Sequence, residues 1–178
     1  MIVGEDIYLS PLCYNKKIEM NWLLFKHKET SRMTIDIDVE EGTILITQRW
    51  RMVDKGNTSS NSIEYFKRMV VSTIQAIWNH RCFINLIDKN ATKKEDRKKS
   101  FRLDFKIRWV TSNEHWKVYM QSEGVSYINW IARRIHLDML DIKPQQKQGA
   151  PRGLEQYPVA HEFGHTIGNV RGAFPSII

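Results

Sequence analysis

Apolar and polar residues alternate in the first third of the chain in a way that predicts a hairpin of two strands. The alternation is strict over residues 34–39 and looser over residues 43–53. Side chains of a strand point alternately to its two faces, so this period is typical of strands with one buried face. Residues 40–42, Glu-Glu-Gly, provide the turn. A further strand is predicted between residues 18 and 26.

A helix with one apolar side is predicted over residues 61–79. Apolar residues recur there at spacings of three and four, which places them on one face of a helix: Ile63, Phe66, Val70, Ile74 and Ile77. Asn61 is a suitable N-cap, and Glu64 three residues later would complete a capping box. We expect this helix to pack on the sheet.

Further strands are predicted in the second half of the chain. Residues 81–88 are short and apolar, residues 101–110 alternate strictly, and residues 116–121 continue the alternation. The segment from Tyr127 to Leu137 is another candidate. The intervening loops are rich in charge or turn-forming residues and are predicted at residues 54–60, 89–100 and 143–153.

Length and composition narrow the class of protein. The chain has 178 residues, of which 42% are hydrophobic, and this suits one globular domain over residues 1–178. No apolar run approaches the ~18 residues of a membrane-spanning helix, so no membrane association is expected. The acidic first residues lack the pattern of a cleaved signal peptide. We therefore expect a cytoplasmic protein, or one secreted by a route without such a signal.

The excess of positive charge raises the question of a nucleic-acid partner. Lys and Arg number 27 against 20 Asp and Glu, a net charge of +7, and basic residues concentrate between Lys89 and Arg108. This pattern predicts a solvated loop followed by a strand with a polar outer face. Because no zinc-finger, RNP or helix-turn-helix pattern accompanies it, nucleic acid is not the expected partner. Cys13 and Cys82 are too far apart for a CxxC metal site.

The residues best suited to chemistry lie in a last predicted helix, residues 154–168, with Pro158 in its first turn. His161, Glu162 and His165 fit the pattern His-Glu-x-x-His. Residues four apart lie on one face of a helix, so the two imidazoles are placed to bind one Zn²⁺ ion. Zinc lowers the pKa of a coordinated water to about 7. The sequence predicts His161 and His165 as metal ligands and Glu162 as the general base.

The segment from Ala160 to Asn169, AHEFGHTIGN, resembles the active-site helix of zincin metallopeptidases. Gly168, three residues after the second histidine, is most similar to the metzincin pattern. The resemblance implies an α+β, zincin-like fold: a twisted mixed β-sheet with a backing helix and an HExxH active-site helix. It also implies hydrolysis of a peptide or protein substrate held along an edge strand, here the segment from Tyr127 to Leu137. The Gly-Asn continuation is similar to that of bacterial metallopeptidase effector toxins.

The sequence departs from this family at the third metal ligand. A metzincin has that ligand six residues after the second histidine, where this chain has Arg171, a permanent cation. No His, Asp, Glu, Cys or Met follows Thr166, so the lower subdomain of the cleft is expected to be absent. The upstream residues that could replace the missing ligand are His136, Asp138, Asp141, His115 and Glu114.

Three interpretations of the incomplete ligand set remain open. The chain is a truncated or degenerate gene product, or an upstream residue is the third ligand, or two histidines are completed by water or by a partner protein. Two functions follow: a zinc metallopeptidase with impaired activity, or a catalytically inactive zincin-like module that binds other proteins. Of the remaining histidines, His27, His80 and His115 are expected to be solvated at loop or strand ends.

Overall fold

The computed structural model describes residues 18–19, 26–54, 58–87, 92, 98–147, 149 and 151–168. Within these residues, nine strands form one mixed sheet, two more form a small hairpin, and there are two helices. In chain order the elements are β1 (Ile18–Glu19), β2 (His27–Glu29), β3 (Thr34–Asp38), β4 (Thr43–Val53), α1 (Ser60–Trp78), β5 (Cys82–Ile87), β6 (Lys98–Trp109), β7 (Trp116–Met120), β8 (Tyr127–Asn129), β9 (Arg134–Leu137), β10 (Gln145–Gln146), β11 (Glu155–Gln156) and α2 (Pro158–Thr166).

β4 is the central strand of the sheet, whose order is β1-β5-β6-β4-β7-β9-β8. β6 runs parallel to β4 along one edge. Along the other edge, β3 pairs antiparallel with the first half of β4 and β7 pairs parallel with its end. β9 runs parallel to β7, and β8 is antiparallel to β9 and last in the order. The large mixed sheet with two helices confirms the predicted α+β class.

Both helices contribute to the hydrophobic core. The alternation predicted for β6 is confirmed, since Phe101, Leu103, Phe105 and Ile107 are buried and the residues between them are not. Phe163 of α2 is fully buried, and its ring centroid lies 5.4 Å from that of Phe105 and 5.8 Å from that of Trp78 in α1. These edge-to-face contacts join α1, α2 and the sheet.

The segment from Tyr127 to Leu137 is two strands, and the prediction of one strand is wrong. The side-chain oxygen of Asn129 accepts a hydrogen bond from the backbone N–H of Ala132 at 2.9 Å, and Arg133 has a positive φ of 51°. These features form a turn that reverses the chain between β8 and β9. Ile131, predicted to lie in the strand, is 92% exposed in this turn. The edge strand is therefore β8 alone.

Other predicted boundaries need smaller corrections. Ser59 caps α1, since its hydroxyl accepts from the N–H of Ser62 at 3.2 Å; Asn61 lies inside the helix, and Glu64 binds Lys67 instead of forming a capping box. β6 starts at Lys98, within the predicted loop 89–100. The predicted hairpin at residues 34–53 is confirmed, whereas residues 20–25 of the first predicted strand lie outside the described ones. Neither described helix is long and apolar enough to cross a membrane.

Candidate metal centre

The helix α2 starts at a proline and is held by backbone contacts at its N-terminal end. Pro158 occupies the first turn, where its fixed φ suits a helix and its missing N–H removes no helical hydrogen bond. The N–H of Val159 donates to the backbone oxygen of Asp141 at 3.1 Å. The indole Nε1 of Trp78 in α1 donates to the backbone oxygen of Ala160 at 3.0 Å. The first turn is therefore tied to both α1 and the segment after β9.

The C-terminal end of α2 is tied to the central strand through one buried amide. Gln48 of β4 is fully buried. Its Oε1 accepts from the hydroxyl of Thr166 at 3.0 Å and from Nε1 of Trp50 at 2.9 Å. Gly168 follows the helix with a positive φ of 99°, a conformation that glycine adopts without steric cost. The helix thus ends at a defined place on the sheet.

The two motif histidines converge, as their helical spacing predicts. The Nε2 atoms of His161 and His165 lie 3.2 Å apart. Two nitrogens bound to one tetrahedral zinc ion at 2.0–2.1 Å are separated by about 3.3–3.4 Å. The donor pair therefore fits zinc in type and in spacing. Partial desolvation and the positive charges of His165 and Lys147 lower the pKa of His161, which favours the neutral imidazole that binds metals.

Glu162 lies beside the histidines in a different environment. One donor atom from each of His161, Glu162 and His165 lies within 4.8 Å of the others, and this cluster could hold a metal ion. Glu162 is only 7% exposed. Burial and the nearby charge of Asp141 raise the pKa of Glu162 to about 7. A carboxyl with a pKa near neutrality is suited to accept and return a proton.

Asp141 shapes this environment, and sequence analysis did not predict that role. Its carboxylate accepts from the hydroxyl of Ser126 at 2.5 Å and from the N–H of Asp138 at 2.7 Å. Burial raises the pKa of Asp141, and the charge of Asp138 adds to this effect. Asp138 and Asp141 form a local Asp-x-x-Asp pattern. Because Asp141 and Glu162 are far apart along the chain, the sequence gives no sign that they lie close together.

None of the upstream candidates for the third ligand belongs to the cluster of His161, Glu162 and His165, although the charge of Asp141 acts on Glu162. Glu114 forms an ion pair with Arg51 at 3.0 Å, and Asp138 accepts from the N–H of Leu140 at 2.7 Å. His136 stacks between two tyrosines. Among the described residues, the metal-type cluster at this place contains only His161, Glu162 and His165. Arg171 lies outside the described residues.

His115 is neither a ligand nor solvated, so its predicted exposure is wrong. It is 2% exposed, and both ring nitrogens have partners: Nδ1 accepts from the N–H of Arg49 at 3.0 Å, and Nε2 lies 2.8 Å from a carboxylate oxygen of Glu29. The side chains of His27 and His80 are 63% and 67% exposed, as expected.

Comparison of the chain with protein-family models, with curated proteins and with solved structures finds no match. The chemical interpretation of the site therefore depends on its own residues and geometry.

Proposed function

We propose that this protein is a zincin-like, zinc-dependent metallopeptidase that hydrolyses peptide bonds. The observation that carries the proposal is the 3.2 Å separation of the two Nε2 atoms of His161 and His165. This separation matches two ligands of one zinc ion. Glu162, within 4.8 Å of both histidines, supplies the third group that the reaction needs.

Each of the three side chains has a distinct role in this proposal. His161 and His165 hold the metal through their Nε2 atoms. Zinc, when bound, lowers the pKa of a coordinated water and polarises the substrate carbonyl. Glu162 would accept a proton from the attacking water and return it to the leaving amine.

The position of β8 supports a peptide-binding role for the sheet edge. β8 is the last strand in the sheet order, and α2 contacts it. An extended peptide that pairs with β8 would therefore lie beside the helix that carries His161 and His165. The order of elements also agrees with the resemblance to zincins: a strand (β4), a long helix (α1), further strands and then the His-Glu-x-x-His helix.

A second candidate function is a zincin-like module that binds a protein without cleaving it. Catalytic zinc sites normally have three protein ligands, whereas the cluster within the described residues offers two histidines and the proposed base. On this alternative, a partner protein either completes the site or covers it.

Glu162→Gln separates the two candidates. Gln has nearly the same shape as Glu but does not accept the proton, and loss of a general base typically costs ~10²–10⁴ in rate. Hydrolysis of a quenched-fluorescent peptide mixture is measured with added zinc, and circular dichroism checks the fold. Glu155→Gln, a change at an exposed glutamate of β11, is the matched control. We expect the wild type and Glu155→Gln to cleave and Glu162→Gln to be inactive.

Two outcomes would change the conclusion. Equal rates for the wild type and Glu162→Gln would remove the assigned base and contradict the peptidase proposal. Zinc binding by a wild-type chain that cleaves no peptide would favour the second candidate.

A further inference from the structure

Three rings form a stacked row across the edge of the sheet. The row contains Tyr119 of β7, His136 of β9 and Tyr127 of β8, which are cross-strand neighbours in register. The His136 centroid lies 5.0 Å from that of Tyr119 and 4.3 Å from that of Tyr127. The interplanar angles are 9° and 6°, so the rings are nearly parallel. They stand side by side on the sheet face opposite the buried Val118, Ile135 and Leu137.

Among the described residues, this row ends at a position that no further strand covers. Tyr127 is 48% exposed, and its strand is the last in the sheet order. One face of its ring is covered by His136. Adjacent strands lie about 4.7–4.9 Å apart, which is close to the ring separations within the row. A strand added outside β8 would therefore bring one of its side chains to stacking distance from Tyr127.

The neighbouring row of side chains is positively charged. Lys117, Arg134 and Asn129 are aligned in register on the same face, and Arg51 is the β4 partner of Lys117. Glu114 lies 3.0 Å from Arg51 and 3.8 Å from Lys117. The row therefore contains three cations, Arg51, Lys117 and Arg134, and the carboxylate of Glu114 lies near the first two. An acidic side chain in the added strand, two residues from the one opposite Tyr127, would lie beside Asn129, with the long side chain of Arg134 one strand further in.

We propose that the edge of β8 selects extended peptides with an aromatic residue opposite Tyr127 and an acidic residue two positions away. The aromatic side chain becomes the fourth ring of the row. The acidic side chain lies beside Asn129 and is attracted by Arg134, one strand further in. This inference rests on the proposed function, because it takes the substrate to be a peptide paired with β8, and it adds the preferred side chains.

Peptide binding tests the selection directly. The probes are fluorescein-labelled peptides of sequence Thr-Glu-Thr-X-Thr-Glu-Thr, with X as Trp, Phe or Leu. Their glutamates lie two residues to each side of X, so the design holds for either strand direction. Fluorescence anisotropy is measured on the full chain carrying Glu162→Gln, with zinc and with a chelator. Aromatic pairs contribute about 0.5–1.5 kcal/mol, so we expect the Trp and Phe peptides to bind about 2- to 13-fold more tightly than the Leu peptide.

Variants of Tyr127 test whether this residue causes the preference for an aromatic side chain in the peptide. Tyr127→Leu should abolish the difference between the Trp and Leu peptides, and Tyr127→Phe should keep it. Tyr65→Leu, a change at a tyrosine of α1 that is 44% exposed, is the matched control and should also keep it. Replacing both peptide glutamates by lysine should weaken binding to every one of these chains.

The inference is overturned by equal binding of the Trp and Leu peptides, by a preference that survives Tyr127→Leu, or by no binding of any peptide. These outcomes are distinguishable from failure of the proposed function. An aromatic preference without zinc-dependent hydrolysis would support the binding module and keep the inference. Zinc-dependent hydrolysis without the preference would overturn the inference alone.

Discussion

Glu29 shows how single residues of this protein depend on contacts that no local pattern reveals. Its carboxylate lies 2.7 Å from Nη2 of Arg49 and 2.8 Å from Nε2 of His115, and it accepts from the hydroxyl of Thr34 at 2.5 Å. Since Nδ1 of His115 accepts from a backbone N–H, Nε2 carries the proton and donates to Glu29. The four residues join β2, β3 and β4 to the turn before β7, where β3 and β7 meet along one edge of β4.

This cluster predicts a loss of stability in acid. Burial alone would raise the pKa of Glu29. Hydrogen bonds from Arg49, Thr34 and His115 outweigh this effect and lower the pKa from 4.5 to about 2. A carboxyl with a lowered pKa in the fold contributes stability that is full above its unfolded value and is lost as pH falls through the folded one. We expect the free energy of unfolding, measured in urea, to fall between pH 4.5 and about 2. Glu29→Gln should reduce this dependence.

The control for the pH experiment is Glu64→Gln, a change at an exposed glutamate of α1. It should leave the slope of stability against pH close to that of the wild type. The Glu29 contribution should also shrink in high salt, because this carboxylate is 45% exposed and partly screened. An equal slope of stability against pH in the wild type and in Glu29→Gln would contradict the role assigned to Glu29.

At the scale of elements, the helix that carries the site could be predicted from its sequence, whereas its anchors could not. The spacing of His161 and His165 is a helical period, but the predicted start at residue 154 is wrong, since Glu155–Gln156 form β11 and the helix begins at Pro158. The contacts of α2 with Gln48 and Trp78 join residues far apart along the chain, and a lone Gln within an apolar strand gives no sign of its partner. The break between β8 and β9 was missed because no Gly or Pro marks it, and Asn129 forms the turn instead.

The anchor of α2 on Gln48 predicts a clear difference between two variants. Gln48→Leu leaves the Nε1 donor of Trp50 without its acceptor and removes one of two acceptors of the Thr166 hydroxyl, which also donates to the backbone oxygen of Phe163 at 2.7 Å. We therefore expect a loss of about 2–3 kcal/mol in the free energy of unfolding. Thr166→Val removes one donor and keeps the amide, so a loss of about 1 kcal/mol is expected. Urea denaturation measures both. Equal effects of the two substitutions would show that the shared oxygen of Gln48 does not secure the helix.

At the scale of the whole molecule, periodicity predicted individual strands and helices and the resemblance implied the α+β class, but neither specified the strand order. The β3–β4 hairpin was predictable because its strands are adjacent in sequence. The parallel pairing of β4 with both β6 and β7 joins segments separated by α1 and β5, and nothing local specifies it. This topology places β8 at one edge beside α2. The proposal that the edge and the helix act together on a peptide therefore depends on long-range pairing.

The most direct test of the proposed metal centre is calorimetric titration of zinc into the chelator-treated chain. We expect one saturable site, weaker than a complete three-ligand site because two imidazoles supply the ligands. His161→Ala and His165→Ala should each abolish it, whereas His27→Ala, a change at an exposed histidine of β2, should leave it unchanged. Absence of zinc binding in the wild type, or binding that survives both motif substitutions, would contradict the assignment of His161 and His165 as the ligands.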